Sequence, residues 1–256
     1  MSKLLQAYLV CNAHYHDTNF ARLQLLQMLA AHDDTNVWVG SDYSDLQRIE
    51  SSDVLITYTC DVVPSPDEQL GLRQWVERGG RWFALHGTNA IIEFVGPPIQ
   101  SGSITIPGKT HTPDSAPMLM ALLGSRFVAH PPSDYIDVRV VDPTHPIVAG
   151  LTDFRVFDEP YYCEFSQDIR VLLDARYTTA ASSYVREDWS EDIPRPQLYV
   201  REVERGAVLY LMLGHCRGRN DMRPIMDDAP IDRRSWEEPI FRELLKRGIE
   251  WGLGKR

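Results

Sequence analysis

Residues 79–90 read Gly-Gly-Arg-Trp-Phe-Ala-Leu-His-Gly-Thr-Asn-Ala. The two glycines predict the end of a preceding helix, because glycine adopts the left-handed cap conformation without steric cost. The run from Arg81 to Leu85 has the length and apolar character of a strand that a sheet buries on both faces. His86-Gly87 follows at once and predicts a sharp turn. Such a turn presents a polar side chain at the carboxyl end of the strand, where open α/β sheets bind ligands.

Strands and helices are predicted to alternate before this stretch. Residues 4–11, 35–39 and 53–59 fit strands, and Thr18 is positioned to cap a helix after the first of them. Residues 65–68 fit a helix start, because Ser65 can cap it and Glu68 can complete a capping box. This succession of elements predicts an α/β fold with right-handed crossovers and a mostly parallel sheet.

The second half of the chain has no linker and no internal repeat, so we predict a single domain over residues 1–256. Residues 186–196 predict an exposed insertion, and residues 96–117 a long loop that borders or covers the site as a lid. The further predicted elements are a short helix over 117–123, a terminal helix, and strands over 135–141, 156–158, 170–174, 197–202 and 207–213.

The composition of the 256 residues restricts the classes of partner. With 43% hydrophobic residues the chain can bury a substantial core, and its net charge of −10 argues against a nucleic-acid partner. Four dispersed cysteines favour neither a disulfide scaffold nor a structural zinc cluster. The sequence shows no signal-peptide pattern and no apolar stretch of about 20 residues, so we expect a cytoplasmic protein without a membrane partner.

Histidines directly follow several of the predicted strands. His14 and His16 follow the first strand, His86 follows the strand quoted above, and His215 follows the strand over 207–213. Strand exits in a parallel sheet share one edge, so these imidazoles can converge although they are distant in sequence. One such histidine is more often a surface group or a satisfied core group than a functional one, whereas three together favour a site.

Other candidate groups have weaker support. Asp158-Glu159 can orient an imidazole, act as a general base or complete a metal shell, although adjacent acids are more often a solvated turn. Cys60 and Cys216 lie near strand exits but not at an elbow, which makes a cysteine nucleophile the less favoured alternative. The sequence lacks G-x-G-x-x-G, P-loop and G-x-S-x-G patterns, which argues against a nucleotide cofactor and serine-hydrolase chemistry.

A series of short motifs covers nearly the whole chain, namely His16-Asp17, Gly79-Gly80, Leu85-His86-Gly87, Leu123-Gly124, His130-Pro131, His145-Pro146-Ile147, Gly150-Leu151, Asp158-Glu159 with Tyr161, Gly214-His215 and Gly248-Ile249-Glu250-Trp251. Their order and spacing resemble the trehalose-utilisation (ThuA-like) family, whose fold is related to class I glutamine amidotransferases. The resemblance implies a flavodoxin-like, doubly wound sheet with helices on both faces, and a link to carbohydrate catabolism. It does not imply glutamine hydrolysis, because those relatives rely on an elbow cysteine that is missing here.

We therefore expect an enzyme that acts on a sugar or an oxidised disaccharide by acid–base chemistry, as a hydrolase, lyase or isomerase. The predicted catalytic residues are His86, His215 and Glu159. The competing interpretation is a non-catalytic sugar-binding or regulatory protein that uses the same crevice. The expected partner is a small-molecule carbohydrate, and homo-oligomerisation stays open. The residues predicted to contact the substrate are His16, Asp17, Gly87, Thr88, His130 and Tyr161.

The same histidines are also candidates for a divalent metal site. His86 and His215, with either His16 or Glu159, make a three-ligand set with one open position, which is the arrangement of catalytic zinc. Iron, nickel and manganese accept the same ligand types. The alternative is that these imidazoles bind the hydroxyl groups of a sugar directly, and no short-spaced ligand pair such as H-E-x-x-H favours the metal.

Overall fold

The computed structural model describes residues 4–102 and 104–256. Within these ranges the helices are α1 (Thr18–Leu29), α2 (Leu46–Glu50), α3 (Pro66–Glu77), α4 (Pro117–Leu123), α5 (Arg234–Glu237) and α6 (Pro239–Gly252). The strands are β1 (Leu5–Ala13), β2 (Thr35–Gly40), β3 (Val54–Cys60), β4 (Arg81–Leu85), β5 (Glu93–Val95), β6 (Ile99–Ser101), β7 (Ile104–Ile106), β8 (Lys109–His111), β9 (Ser125–Ala129), β10 (Asp134–Val140), β11 (Phe154–Asp158), β12 (Tyr162–Phe165), β13 (Arg170–Ala175), β14 (Arg195–Val203) and β15 (Gly206–Leu211). None of the described helices is both long and apolar enough to cross a membrane.

Nine of the described strands form one mixed sheet, in the order β11-β10-β13-β14-β15-β4-β3-β1-β2. The pairings among β2, β1, β3, β4 and β15 are all parallel, which confirms the expected flavodoxin-like α/β arrangement. Beyond β15 the pairings are antiparallel. Only Glu204 and Arg205 separate β14 from β15, and a connection this short makes a hairpin instead of a crossover.

The helix before the central strand begins and ends as its sequence predicts. Ser65 Oγ accepts a hydrogen bond from Glu68 N at 3.3 Å, and Glu68 Oε2 accepts one from Ser65 N at 2.6 Å, which completes the capping box of α3. Just past the helix, Gly79 has a φ of +118°, in the region that favours glycine. The chain therefore turns directly into β4, the strand that leads to the candidate site.

Strand β4 is fixed by packing on both of its faces. It lies between β3 and β15 in the sheet. Phe83 packs against Gly248 of α6, where a Cβ atom would lie only 2.2 Å from the phenyl ring. The next side chain, Trp82, points to the opposite face and donates its indole N–H to Thr57 Oγ1 at 2.9 Å. The position of the turn after β4 is therefore set by the core of the protein.

The segment over residues 96–117 contains more regular structure than its sequence predicts. It includes β6, β7 and β8, where an unbroken loop is expected, and residue 103 lies outside the described residues. β8 pairs with β5, and β6 pairs with β7, in two small antiparallel ladders. Gly96 and Gly102 have positive φ angles, so the residues that indicate a loop are the ones that form the tight turns between these strands.

The prediction of an exposed insertion over residues 186–196 is wrong in part, because Trp189 and Arg195 are buried. The rings of Tyr162 and Trp189 stack with centroids 4.5 Å apart, and the Arg195 guanidinium lies over Tyr162. Arg195 also donates hydrogen bonds to the carbonyl oxygens of Trp189 and Glu191. Arg195, whose charge suggests an exposed segment, is therefore the residue that holds this segment against the protein.

Candidate active site

Residues at the carboxyl ends of four neighbouring strands have positive φ angles. Tyr15 follows β1 with a φ of 65°, and Asp61 follows β3 with a φ of 59°. His86 follows β4 with a φ of 47°, and Gly214 follows β15 with a φ of 132°. For residues other than glycine this conformation costs of order 1–3 kcal/mol and persists only where the surrounding structure enforces it. Such backbone concentrates at functional sites, and it marks this edge of the sheet as the candidate site.

His86 is completely buried in the turn after β4. Its Nδ1 lies 2.8 Å from the Met212 carbonyl oxygen, and because a carbonyl only accepts, Nδ1 carries the proton and Nε2 a lone pair. Tyr210 holds the backbone of the turn, since its hydroxyl donates to the His86 carbonyl oxygen at 2.7 Å and accepts from Asn89 N at 2.9 Å. The imidazole is thus fixed in both position and tautomer.

His16 reaches the same place from the exit of β1. Its Nδ1 lies 2.6 Å from the His14 carbonyl oxygen, so this imidazole is also protonated on Nδ1. Its Nε2 lies 3.0 Å from His86 Nε2. Burial lowers the pKa of His16 well below its usual range, and the neighbouring His86 and His215 lower this pKa further. His16 is therefore neutral at physiological pH.

Glu159 follows β11 and lies among three imidazoles. Its Oε2 is 3.6 Å from His86 Nε2 and 3.5 Å from His215 Nδ1, while its Oε1 is 3.4 Å from His130 Nδ1. Burial alone would raise the pKa of Glu159, but His130 and His215 outweigh burial and hold the pKa well below its usual range. The site therefore contains a largely buried carboxylate that is ionised at neutral pH.

Asp158 positions the residues around that carboxylate. Its Oδ2 accepts a hydrogen bond from Gly214 N at 2.8 Å, and its Oδ1 accepts hydrogen bonds from His215 N at 3.1 Å and Glu159 N at 2.7 Å. These bonds fasten the end of β11 to the exit of β15. Burial alone would lower the pKa of His215, but the Glu159 carboxylate outweighs burial and raises the pKa.

A cavity of about 230 Å³ opens onto this cluster. His86 does not line it and lies behind Tyr161, whose hydroxyl donates to His86 Nε2 at 2.9 Å. The polar side chains that line the cavity include His16, His130, Glu159, Tyr161 and His215. The apolar ones include Phe94, Ile104, Ile106, Phe127, Met222 and Ile225. The cavity therefore has a titratable side and an apolar side.

The structure brings together most of the residues predicted for the site, but it places Asp17 elsewhere. Asp17 Oδ1 accepts a hydrogen bond from Phe20 N at 3.1 Å and caps α1, while Oδ2 forms an ion pair with Arg233. Asp17 therefore takes the capping role predicted for Thr18, whose hydroxyl instead donates to the Ala13 carbonyl oxygen at 3.1 Å. A carboxylate with both oxygens engaged in this way is not placed to bind a substrate.

Gly87 and Thr88 also make contacts within the turn and its neighbouring strands and do not reach the cavity. A Cβ atom on Gly87 would lie 2.9 Å from the Thr59 carbonyl oxygen, so this glycine permits a close approach to β3 and not to a ligand. The buried Thr88 hydroxyl donates to the Leu85 carbonyl oxygen at 2.8 Å and lies 3.1 Å from Thr57 Oγ1. Neither residue lines the cavity, which argues against the predicted substrate contacts.

Several residues that line the cavity were not predicted. Tyr15 lies between His14 and His16, so its position in the exit loop of β1 was a usable signal. Tyr184 and Arg217 had no comparable signal, because they reach the cavity from the segment before β14 and from the loop after β15. Their contribution depends on how these distant segments fold back over the sheet.

The cysteine alternative loses support in the structure. Cys60 lines the cavity, but burial raises the pKa of its thiol far above the usual range, and Asp61 and Glu159 raise it further. Burial likewise raises the pKa of Cys216. Both groups stay protonated at neutral pH, and a protonated thiol is a poor nucleophile.

The fold and the cluster define a flavodoxin-like α/β protein with a histidine at the turn after the central strand. A family model described as ThuA, trehalose utilisation, matches residues 8–223. The chain therefore belongs to the ThuA family, which confirms the resemblance of its motifs and connects it with carbohydrate use. No curated protein matches the chain.

Solved structures share this fold. A protein of Bacteroides uniformis ATCC 8492 described as ThuA-like is 16% identical, with a TM-score of 0.68 over 99% of this chain and 93% of that one. A second ThuA-like protein, of Parabacteroides merdae ATCC 43184, is 16% identical, with a TM-score of 0.62 over 99% and 91% of the two chains. A β-galactosidase of Rahnella sp. R3 is 13% identical, with a TM-score of 0.56 over 99% of this chain and 32% of that one. At these identities the similarity shows the fold alone.

Proposed function

We propose that the protein is an enzyme of carbohydrate catabolism that removes a proton next to the carbonyl group of an oxidised sugar, as a lyase or an isomerase. The observation that carries this proposal is the largely buried Glu159 carboxylate, which lines the cavity between His130 and His215. The carboxylate is ionised and positioned to accept a proton, while the imidazoles that lower its pKa make it a weaker base than an isolated glutamate. Membership of the ThuA family supports a carbohydrate as the substrate.

The carboxylate count favours this reaction over glycoside hydrolysis. Most glycosidases need two carboxyl groups, about 5–10 Å apart, on either side of the scissile bond. Among the described residues that line the cavity, Glu159 is the one carboxylate. The adjacent Asp158 does not line the cavity and already accepts hydrogen bonds from three backbone N–H groups. One base among imidazoles fits proton transfer at carbon better than attack by water on a glycosidic bond.

The proposed steps follow from this arrangement. The Glu159 carboxylate takes the proton, the C–H electron pair becomes the carbon–carbon double bond of an enolate, and the carbonyl oxygen gains the negative charge. For an isomerisation, the hydroxyl proton on the deprotonated carbon moves to the enolate oxygen, and the proton held by Glu159 adds to the former carbonyl carbon. For an elimination, the carbonyl re-forms while the group β to it leaves with its bonding electron pair and takes the proton from Glu159. His130 and Tyr161 line the cavity beside the carboxylate and offer polar contacts to the sugar hydroxyl groups.

The proposal is tested by hydrogen exchange at carbon. The full chain is incubated in D₂O with a panel of keto sugars, both monosaccharides and disaccharides, and the products are followed by NMR and mass spectrometry. We expect deuterium to enter the position next to the carbonyl of at least one member. Binding is measured in parallel by calorimetry. Binding without exchange or product across the panel would contradict the proposal and support the sugar-binding alternative.

Ligand binding is also expected to protect the segment over residues 93–111 from proteolysis. Phe94, Ile104 and Ile106 place apolar side chains of this segment in the cavity wall, so a bound ligand adds contacts that resist its opening. Trypsin can cut this segment after Lys109, and cleavage there is compared with cleavage after the exposed Arg155 on β11. Trehalose and its oxidised derivatives are the probes. Equal protection of both positions, or of neither at saturating ligand, would argue against a lid.

A further inference from the structure

The imidazoles of His16 and His86 face each other, but neither ring places a proton between the two facing nitrogens. Each gives its Nδ1 proton to a backbone carbonyl oxygen, that of His14 or Met212, so each Nε2 carries a lone pair. These two Nε2 atoms lie 3.0 Å apart in a buried position. Two lone pairs at this distance repel each other unless a positive charge, either a second proton or a metal ion, is placed against both.

His215 adds a third imidazole, which forms an ion pair with Glu159 but makes no well-aligned hydrogen bond to a described residue. Neither of its ring nitrogens has a hydrogen-bond partner among the described residues, although the side chain is buried. The Glu159 carboxylate is near, with Oε2 3.5 Å from Nδ1. An unsatisfied buried polar group costs about 1–3 kcal/mol, and native proteins retain few of them. A ligand that accepts the nitrogen lone pair removes this cost.

The spacing of the four side chains matches the size of a coordination shell. Zinc bound tetrahedrally at about 2.0–2.1 Å places neighbouring ligand atoms about 3.3–3.4 Å apart. The two ligand nitrogens of His16 and His86 lie 3.0 Å apart, and the Glu159 oxygen that borders the imidazoles lies 3.6 Å from His86 Nε2 and 3.5 Å from His215 Nδ1. One ligand atom from each of the four residues lies within 4.8 Å of all the others.

The geometry points to a divalent metal site in which the imidazoles of His16, His86 and His215 hold the ion and Glu159 borders it, with zinc as the best match. Three imidazoles with one carboxylate suit zinc better than magnesium or calcium, which prefer oxygen ligands. The hydrogen bonds from Nδ1 of His16 and His86 to backbone carbonyl oxygens are the outer contacts that orient histidine ligands in metalloproteins.

A metal ion at this place would take part in the proposed reaction. Its catalytic role, unlike its binding, rests on the proposed function. Proton abstraction next to a carbonyl places negative charge on the carbonyl oxygen, and a bound divalent ion supplies the Lewis acid that stabilises it. The assignment also explains why His86 is buried behind the cavity wall, where it has no access to a substrate. In this arrangement His86 is a ligand, so the Tyr161 hydroxyl gives up its hydrogen bond to His86 Nε2, and Glu159 is the proton acceptor.

The test is metal binding by the full chain, purified without an affinity tag and stripped with a chelator. It is titrated with Zn²⁺ in competition with a chromophoric chelator, and with Co²⁺, whose visible absorption reports tetrahedral coordination. We expect one ion per chain, and at least about 100-fold weaker binding in His16→Asn and in His86→Asn. Asparagine tolerates positive φ, so His86→Asn keeps the turn. His130→Asn is the matched control, because it removes an imidazole of the same cavity that is outside the ligand set.

Each outcome of this titration decides the assignment. Substoichiometric zinc in the parent protein, or unchanged affinity in both His16→Asn and His86→Asn, would overturn it and favour a shared proton between the imidazoles. Equal loss of binding in His130→Asn would also overturn it. The deuterium-exchange assay separates the two proposals, since zinc binding without exchange overturns the proposed function alone. Exchange that is equally fast in stripped and zinc-loaded protein overturns the catalytic role of the metal alone.

Discussion

Replacing Glu159 with glutamine is expected to lower kcat by about 10²- to 10⁴-fold, which is the usual contribution of a general base. Glutamine has nearly the same shape, so the cavity and its polar contacts are retained while the proton acceptor is lost. We therefore expect KM to change much less than kcat. Deuterium incorporation next to the carbonyl should fall by the same factor as turnover, because both need the same proton transfer.

The matched control for this substitution is Glu164→Gln. Glu164 is exposed, lies on β12 and forms ion pairs with Arg126 and Arg186, outside the residues that line the cavity. Its replacement should leave both kcat and the exchange rate unchanged. A kcat for Glu159→Gln within about tenfold of the parent, in a protein whose circular dichroism is unaltered, would remove Glu159 from the role of base.

Replacing Tyr210 with phenylalanine is expected to lower both the stability of the protein and its affinity for zinc. The Tyr210 hydroxyl contacts the His86 carbonyl oxygen and Asn89 N, so its removal leaves two buried backbone groups unsatisfied. We expect the free energy of unfolding, measured by chemical denaturation, to fall by about 2–4 kcal/mol. Because the same contacts hold His86 at its positive φ, the ligand position should loosen as well, with zinc binding about 10- to 100-fold weaker.

The adjacent strand offers a control that separates positioning from general stability. Tyr199 on β14 is buried like Tyr210, and its hydroxyl donates to the Leu123 carbonyl oxygen at 2.7 Å and lies 2.8 Å from the Ser125 hydroxyl, from which it can accept. Tyr199→Phe should therefore destabilise the protein by a comparable amount without affecting zinc affinity. If both variants bind zinc equally well, Tyr210 is a structural residue and does not position His86.

The histidines of the site could be predicted because each follows a strand, and the direction of the parallel strands brings their ends to one edge of the sheet. His86 and His215 each come directly or almost directly after a buried apolar run, and parallel strands that share a sheet also share an edge. Thr88 and Asp17 are as close to these histidines in sequence, yet their side chains turn toward the core and toward the first turn of α1. Sequence proximity does not specify the side on which a loop residue projects, and these two residues lie outside the cavity lining.

The rest of the site depends on contacts between distant parts of the chain. The antiparallel half of the sheet brings Glu159, at the end of the edge strand β11, next to the exit of β15 through the hydrogen bonds of Asp158. One part of the apolar cavity wall comes from the short strands β5 and β7, and another part comes from β9 and from the loop after β15. No local period or motif encodes which of these segments meet, and the cavity could not be drawn from the sequence.

The pairing of β4 with β15 also determines when the centre of the sheet can assemble during synthesis. Roughly 120 residues separate these strands, and at a typical synthesis rate β15 leaves the ribosome about 6–24 s after β4. During this interval β4 pairs with β3 on one side and presents an open, apolar edge on the other. An unpaired edge of this kind invites association with other chains. The strand that presents His86 therefore keeps one open edge until β15 is synthesised, and the candidate site cannot assemble before residues 206–215 leave the ribosome.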